Sequence, residues 1–342
     1  MGVDLGELFT KEPCSFEDLS YKVIALDAYN ILHQFLASIR QRDGTPLKDA
    51  QGRITSHLSG LMYRTSNLVE AHIQPVYVFD GAPHPLKAKT LAERRARKEQ
   101  AEKDWKAAIE KGDLETARMK AQQTSRVTDE IVQQSKELLR ALGIPFIQAP
   151  SEGEAQASYM VKKGDAFAVG SQDFDCLLFG ASVLIRNLTS SGKRKLPRKQ
   201  AYVAVNQELI RLHPNLKTLG LTQEQLVDIA LLIGTDFNDG VKGLGPKKSY
   251  QLIKKTGSLE AALESLPQQD SISSSEFGMI REFFLRPPVT DEYVLEWSSP
   301  DRKMVLQILC DEHHFSKERV EPVLEKFSVV STSRKQKNLF DF

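Results

Sequence analysis

Seven carboxylates, spread over more than two hundred residues, share one kind of setting: each follows an apolar run or sits in a tight turn. They are Asp27 in KVIALDAYN, Asp80 in PVYVFDG, Glu152 and Glu154 in APSEGEA, Asp173 and Asp175 in VGSQDFDCLLFG, and Asp236 in LLIGTDFNDG. Carboxylates at the carboxyl ends of neighbouring parallel strands converge on one crevice. Gathered there, they repel one another and raise one another's pKa unless cations lie among them. Oxygen ligands with neither His nor Cys select hard ions such as Mg2+ or Mn2+. The set as a whole is suited to two such ions. Pair by pair the pattern is more ordinary. Ser151 and Glu154 also fit a capping box at a helix start, and Asp173-Phe174-Asp175 also fits an Asx turn.

The formal net charge is +1, but the charges are unevenly placed. Lys87, Lys89, Arg94, Arg95, Arg97, Lys98 and Lys103 form one basic run, and Arg186, Lys193, Arg194, Lys195, Arg198 and Lys199 form another with no acid among them. A near-neutral sum can therefore conceal a basic surface around an acidic pit. A run such as the first is ordinarily a solvated helical face. Here it begins seven residues after Asp80, through GAPHP, so Lys87 and Arg94 are expected to overhang the pit. Their spacing of seven puts them on one helical face, and such a cation pair would stabilise charge developing on a transferred phosphoryl group. GVKGLGPKKSYQLIKK carries the glycine spacing of a helix–hairpin–helix at Val241, Gly243, Leu244 and Gly245, or of a plain turn between two helices. In the former, the helix amino terminus offers N–H groups to a phosphate, with Lys247 and Lys248 adding charge. In the final segment, Gln336, Leu339 and Phe342 at spacing three could form one turn that plugs a partner's apolar pocket, or fold back on the chain itself.

These side chains need a scaffold. The runs YKVIALDAYN, PVYVFDG, PFIQAP, DAFAVGS, SVLIRNL and AYVAVN predict strands, the early ones nearly continuous in apolar residues as in a buried parallel sheet. Helical patterns lie between them, for example over 56–72 and 135–142, which argues for an α/β fold with a mostly parallel central sheet flanked by helices. Residues 86–142 are proline-free and poor in large apolar residues until Ile131, broken at Gly112-Asp113. They predict two helices projecting from the core. Thr222 and Gln225 predict a capped helix over 222–233, 267–276 a polar loop, and 328–342 an unstructured tail. At 342 residues the chain is long enough for about two domains or one large α/β domain. No apolar run reaches the roughly 20 residues of a membrane helix, and MGVDLGELFTKEP is neither a secretory signal nor a myristoylation site. Three cysteines without metal-type spacing, Cys14, Cys176 and Cys310, suit a reducing interior.

The motifs LDAYN, VYVFDG, EGEAQA, QDFDCLLFG and GTDFNDGVKGLGPKK, in a match running from MGVDLGELF to QKNLFDF, resemble structure-specific 5′ nucleases, and among them the archaeal type of flap endonuclease. The resemblance implies a PIN-like core bearing the carboxylates, with a helical arch above. It implies one ion held by Asp80, Glu152, Glu154 and Asp173, and a second by Asp173, Asp175 and Asp236, with Asp27 acting through water. By the same carry-over Lys87 and Arg94 touch the scissile phosphate. Arg40, Arg64, Glu152, Gly234 and Asp236 match DNA-contacting positions, and the backbone at Gly240, Val241 and Leu244 matches a site for K+. Gly2 would lie near the active site as the mature amino terminus. Gln336, Leu339, Phe340 and Phe342 resemble a peptide that docks on the sliding clamp. Two departures stand out. His33 replaces a tyrosine on which a base stacks, and Phe342 closes a clamp peptide that ordinarily ends in two adjacent aromatics.

The expectation is therefore a Mg2+-dependent 5′ flap endonuclease with associated 5′-3′ exonuclease activity, with Mn2+ able to substitute. It would be a monomer in an archaeal cytoplasm, working in Okazaki-fragment maturation and long-patch base excision repair. The expected division is a nuclease region over 1–98, an arch over 99–134, an internal nuclease region over 135–258, a C-terminal helical region over 259–327 and a tail over 328–342. The alternatives are a non-catalytic clamp-tethered DNA-binding adaptor, another 5′ exonuclease of the same superfamily, or a phosphatase using Asp173, for which Leu177 stands where Thr or Val is needed.

Overall fold

Apolar runs too continuous for a half-exposed sheet become strands buried on both sides. The computed structural model describes residues 2–41, 43–189, 193–195, 202–266 and 274–337. Its strands are β1 (Glu12–Cys14), β2 (Val23–Asp27), β3 (Gln74–Phe79), β4 (Phe146–Gln148), β5 (Ala168–Gly170), β6 (Val183–Arg186), β7 (Lys193–Lys195), β8 (Tyr202–Ala204) and β9 (Gln207–Arg211). Seven of them form one sheet in the order β1-β9-β6-β5-β2-β3-β4. The five from β6 to β4 run parallel, and β9 and β1 close one edge antiparallel. The expected mostly parallel α/β architecture is what forms. AYVAVN, however, leaves the main sheet and pairs as β8 with β7 in a two-stranded ribbon.

Alternation along β2 sends Ile24 and Leu26 into one apolar cluster and Ala25 into the other. Both faces are therefore core, as crossover helices on a parallel sheet require. Val76 and Val78 of β3 join Ala25, whereas Tyr77 and Phe79 join Leu26. The register aligns Leu26 with Gly170 and Asp27 with Val78, so the carboxyl ends of β2, β3 and β5 finish side by side.

Of the two projecting helices predicted over 86–142, the second is interrupted, and its latter part is a separate helix, Asp129–Ala141, packed into the core through Leu138 and Leu139. Helix Ala88–Glu110 and helix Leu114–Gln122 are separated at Gly112 and Asp113 as predicted. They bury little beyond alanines: Ala101 and Ala108 on the first, Ala117 and Ala121 on the second. After helix Ser274–Leu285 the chain carries neither helix nor strand through residues 287–301. It passes Pro75, whose carbonyl accepts the Trp297 indole N–H at 2.8 Å, and delivers Val305, Leu309, Val320, Leu324 and Phe327 to the opposite core cluster. The last helix, Lys317–Lys337, runs further than predicted. Residues 328–337, expected in an unstructured tail, continue its turns past the internal Pro322, and no glycine follows to end the helix. Of the expected clamp peptide, Leu339, Phe340 and Phe342 lie outside the described residues, and Gln336 falls within that helix. No helix among the described residues is long and apolar enough to cross a membrane.

Candidate active site

The seven carboxylates reach the pit from five chain endings. Asp27 is the last residue of β2 and caps helix Ala28–Ser38, accepting the Asn30 N–H at 3.0 Å. Asp80 follows β3 and accepts the Gly153 N–H at 2.6 Å. Only a glycine permits this approach, since a Cβ on residue 153 would stand 2.7 Å from Asp80 Oδ1. Glu152 and Glu154 flank that glycine at the start of helix Gly153–Lys163. Asp173 and Asp175 follow β5. Asp236 lies beyond helix Gln223–Ile233, in a turn where Thr235 pairs with Asn238. The apolar LLI before it is the end of that helix, as the span predicted over 222–233 requires.

Neutral side chains tie these endings together, and they went unread in the sequence. Asn30 donates through Nδ2 to Asp173 Oδ2 at 3.1 Å, while its Oδ1 accepts the Gln172 N–H at 3.3 Å. Ser171 Oγ lies 3.4 Å from Asp27 Oδ2 and 3.1 Å from Glu154 Oε1, and accepts the Asp173 N–H. The Cys176 thiol faces Glu154 Oε1 at 3.4 Å. The Val3 N–H donates to Asp175 Oδ1 at 2.8 Å, so the start of the chain, including Gly2, lies against the pit as expected. Asn30 and Ser171 lie within quoted motifs, but nothing in an uncharged residue type marks it as a bridge between two acids.

Two cations enter from the base of the arch. Lys87 Nζ lies 2.5 Å from Glu152 Oε2 and 3.9 Å from Asp236 Oδ2, and Arg94 Nη2 lies 2.5 Å from Asp236 Oδ1. The Lys87 ammonium also stands 5.8 Å from the centre of the Phe237 ring. All seven predicted carboxylates and both predicted cations therefore meet in one place.

Seven acids against two bases leave an excess of negative charge, and the titration behaviour reflects it. Burial first, and then Asp80 and Asp173, push Asp27 up to about 8. Burial and Glu152 push Asp80 up to about 6, against the pull of Lys87. Burial, Asp236 and Asp173 push Asp175 up to about 7. Glu154 is raised well above its usual range by burial and by Asp27, Asp175 and Asp173. Burial would lower the Lys87 pKa, but Glu152, Asp80 and Asp236 outweigh it and raise it. Among the described residues no three or more acidic, His or Cys side chains are grouped as a ready-made metal site. The donor set nonetheless suits hard divalent cations. It is almost wholly carboxylate oxygen, it is buried or half-buried, and its repulsion is what added positive charge would relieve.

The remaining predicted positions lie around this centre. His33, on helix Ala28–Ser38, has its pKa lowered to about 4 by burial, Lys98 and Arg94. It is therefore neutral across the ordinary pH range. Arg40 is half-buried and donates to the carbonyls of Leu36 at 2.6 Å and Gly44 at 2.9 Å. Arg64, on helix Ser56–Glu70, has its pKa lowered by burial. Beyond Asp236, the chain folds back so that the Val241 N–H donates to the Leu232 carbonyl at 2.8 Å, and the Leu244 N–H to Val241 at 3.0 Å. Gly240 adopts φ +70°, and a Cβ there would stand 2.4 Å from the Ile233 carbonyl oxygen. Gly234 at φ +108° makes the opposing corner. Gly245 then caps helix Pro246–Thr256, with Pro246 in its first turn. Two helices joined by a glycine hairpin is thus the form taken, with Lys247 exposed 3.4 Å from Glu7 and Lys248 Nζ on the Gly243 carbonyl.

The sequence matches two family models, the XPG N-terminal domain over residues 5–101 and the XPG I-region over residues 143–236. It is 52% identical over 334 residues to flap endonuclease 1 of Archaeoglobus fulgidus, covering 98% of each chain. It is 51% identical over 340 residues to flap endonuclease 1 of Pyrococcus furiosus, covering 99% of this chain and 98% of that one. The solved structure of flap endonuclease-1 from Methanococcus jannaschii matches with a TM-score of 0.76 at 42% identity, over 97% of this chain and 100% of that one. The catalytic core of Rad2 shares the fold at 24% identity, with a TM-score of 0.69 over 94% of this chain and 97% of that one. About half of all positions are shared with these archaeal relatives along almost the whole of both chains, and the chain belongs to the flap endonuclease 1 family.

Proposed function

We propose that this protein is a Mg2+-dependent, structure-specific nuclease that cuts branched DNA bearing a single-stranded 5′ flap, with associated 5′-3′ exonuclease activity. The observation that carries the reading is the convergence of seven carboxylates from five chain endings on one pit, with Lys87 and Arg94 entering it from the arch. Family membership supports the same activity. A DNA-binding adaptor has no use for such a pit, whose repulsion costs stability.

Asp80, Glu152, Glu154 and Asp173 would hold one divalent ion, and Asp173, Asp175 and Asp236 the second, with Asp27 acting through water. When bound, the ions supply the Lewis acidity that phosphodiester hydrolysis at neutral pH requires. Lys87 and Arg94 would exchange their carboxylate partners for the scissile phosphate and stabilise its growing charge. Asn30 and Ser171 would hold Asp27, Glu154 and Asp173 in place from behind. Arg40, Arg64, Gly234 and His33 would face DNA around the pit. The hairpin at Gly240, Val241 and Leu244 would take K+ on its carbonyl oxygens, and with Lys247 and Lys248 would grip the duplex backbone without reading sequence. The segment from Gln336 to Phe342 would dock on the sliding clamp. We place the protein as a monomer in the cytoplasm of an archaeal cell, in Okazaki-fragment maturation and long-patch repair. Asp175→Ala tests the core of this proposal. Cleavage of a labelled double-flap substrate in Mg2+ should vanish while flap binding persists, because binding rests on backbone contacts; undiminished turnover would refute the assignment.

A further inference from the structure

Gln156 is fully buried, yet it takes no part in the pit. Its carboxamide makes two bonds to the backbone of a single residue 134 positions away: Nε2 donates to the Thr290 carbonyl at 2.9 Å, and Oε1 accepts the Thr290 N–H at 2.8 Å. This is the pairing one strand residue offers another, supplied by a side chain. Its own main-chain N–H donates to the carbonyl of Glu152 at 3.2 Å and closes the first turn of helix Gly153–Lys163. Gln156 thus joins the turn bearing Glu152 and Glu154 to the extended strap of residues 287–301.

The strap continues down the same helical face, since positions 156, 159 and 163 share one stripe. Tyr159 Oη and Lys163 Nζ both bond the Asp291 carboxylate, at 2.9 and 2.8 Å. Tyr293 Oη then donates to Asp165, and the Ser298 N–H donates to Gly143 at 3.0 Å. Because these lower rungs hold the strap independently, the Gln156 rung is not needed to attach it. What distinguishes this rung is its place, four residues from Glu152 and two from Glu154.

We propose that Gln156 is a positioning residue for the divalent-ion site: it fixes the height of the first helical turn against the strap and so sets where the Glu152 and Glu154 oxygens stand. The inference rests on the assignment of those glutamates as ligands. Residues one step behind a ligand typically change metal affinity by about 10- to 100-fold when replaced. Gln156→Leu keeps the bulk and removes both bonds, and it should weaken Mn2+ binding to the DNA-free protein about tenfold in an electron paramagnetic resonance titration.

Tyr159→Phe, which cuts the next rung, should loosen the strap in hydrogen exchange at 288–293 yet leave Mn2+ affinity within about twofold of wild type, well short of the outer-shell range. Thr290→Pro, in a segment already holding Pro287 and Pro288, removes the strap N–H without touching the helix and should weaken Mn2+ binding in the same direction as Gln156→Leu. It decides the matter should the leucine variant fail to fold. Unchanged Mn2+ affinity in the folded leucine variant, or in the proline variant where that one does not fold, overturns the proposal. Equal weakening by Tyr159→Phe also overturns it, since strap attachment alone would then suffice. Failure of the wild-type protein to bind Mn2+ would instead overturn the metal assignment itself.

Discussion

Replacing Lys87 with alanine separates two consequences of one ammonium. Its Nζ stands 2.5 Å from Glu152 and 3.9 Å from Asp236, with 13% of the side chain exposed. At about 4 Å and an effective dielectric constant of about 20, a unit pair interacts by about 4 kcal/mol. If half to all of a unit charge grows on the phosphate oxygens facing it, the lost stabilisation is about 2–4 kcal/mol, or roughly 30- to 1,000-fold in rate, overlapping the loss found for one preorganised donor. Flap affinity should change by less than about threefold, because most of it comes from many backbone phosphate contacts elsewhere. Divalent-ion affinity of the DNA-free protein should move the other way and rise, since two carboxylates lose their shared counter-ion. Single-turnover quench-flow on a 5′-flap substrate gives the rate, and fluorescence anisotropy with divalent ions chelated gives the affinity. A fall in affinity as large as the fall in rate would make Lys87 an anchor rather than a transition-state group and would refute the reasoning.

Removing divalent ions should give the protein an unusual pH profile. Asp27, Asp80 and Asp175 are raised to about 8, 6 and 7 from an ordinary 3.8, so the folded state holds these protons more tightly than the unfolded chain does. Their contribution is full below about pH 4 and is lost as pH rises through the folded-state values. In EDTA, Tm should therefore fall from about pH 5 to pH 8, and Mg2+ should flatten that slope; a chelated protein whose Tm rises over the same range would contradict the charge balance argued for the pit. Deleting residues 336–342 should leave basal cleavage unchanged and abolish stimulation by the clamp, measured as turnover with and without it; loss of basal cleavage would assign the segment to the fold.

What the sequence made legible follows from what each side chain advertises. Asp27 and Asp80 stand at the ends of runs apolar enough to announce buried parallel strands, and a strand end fixes where its next side chain emerges. Glu152 stands beside Gly153 in the same short motif as Glu154, and the missing Cβ of that glycine leaves room for Asp80. Asp236 could be grouped with the rest only through its turn, because the preceding residues are helical and a helix end carries no comparable positional rule. β9 went unread because QELIR holds only two apolar residues, the adjacent Leu209 and Ile210, among three polar ones, and β1 spans three residues. Gln156 lies within the quoted EGEAQA motif, yet its partner is the backbone of Thr290, and a main-chain group leaves no trace in residue type. Long-range pairing of neutral groups was the part the sequence did not reveal.

The account depends on Mn2+ finding these carboxylates. A crystal soaked in Mn2+ should show anomalous density for two ions among Asp80, Glu152, Glu154, Asp173, Asp175 and Asp236, with Lys87 and Arg94 withdrawn from Glu152 and Asp236. A fully soaked crystal with no anomalous density there, and both cations still paired as they are now, would contradict it.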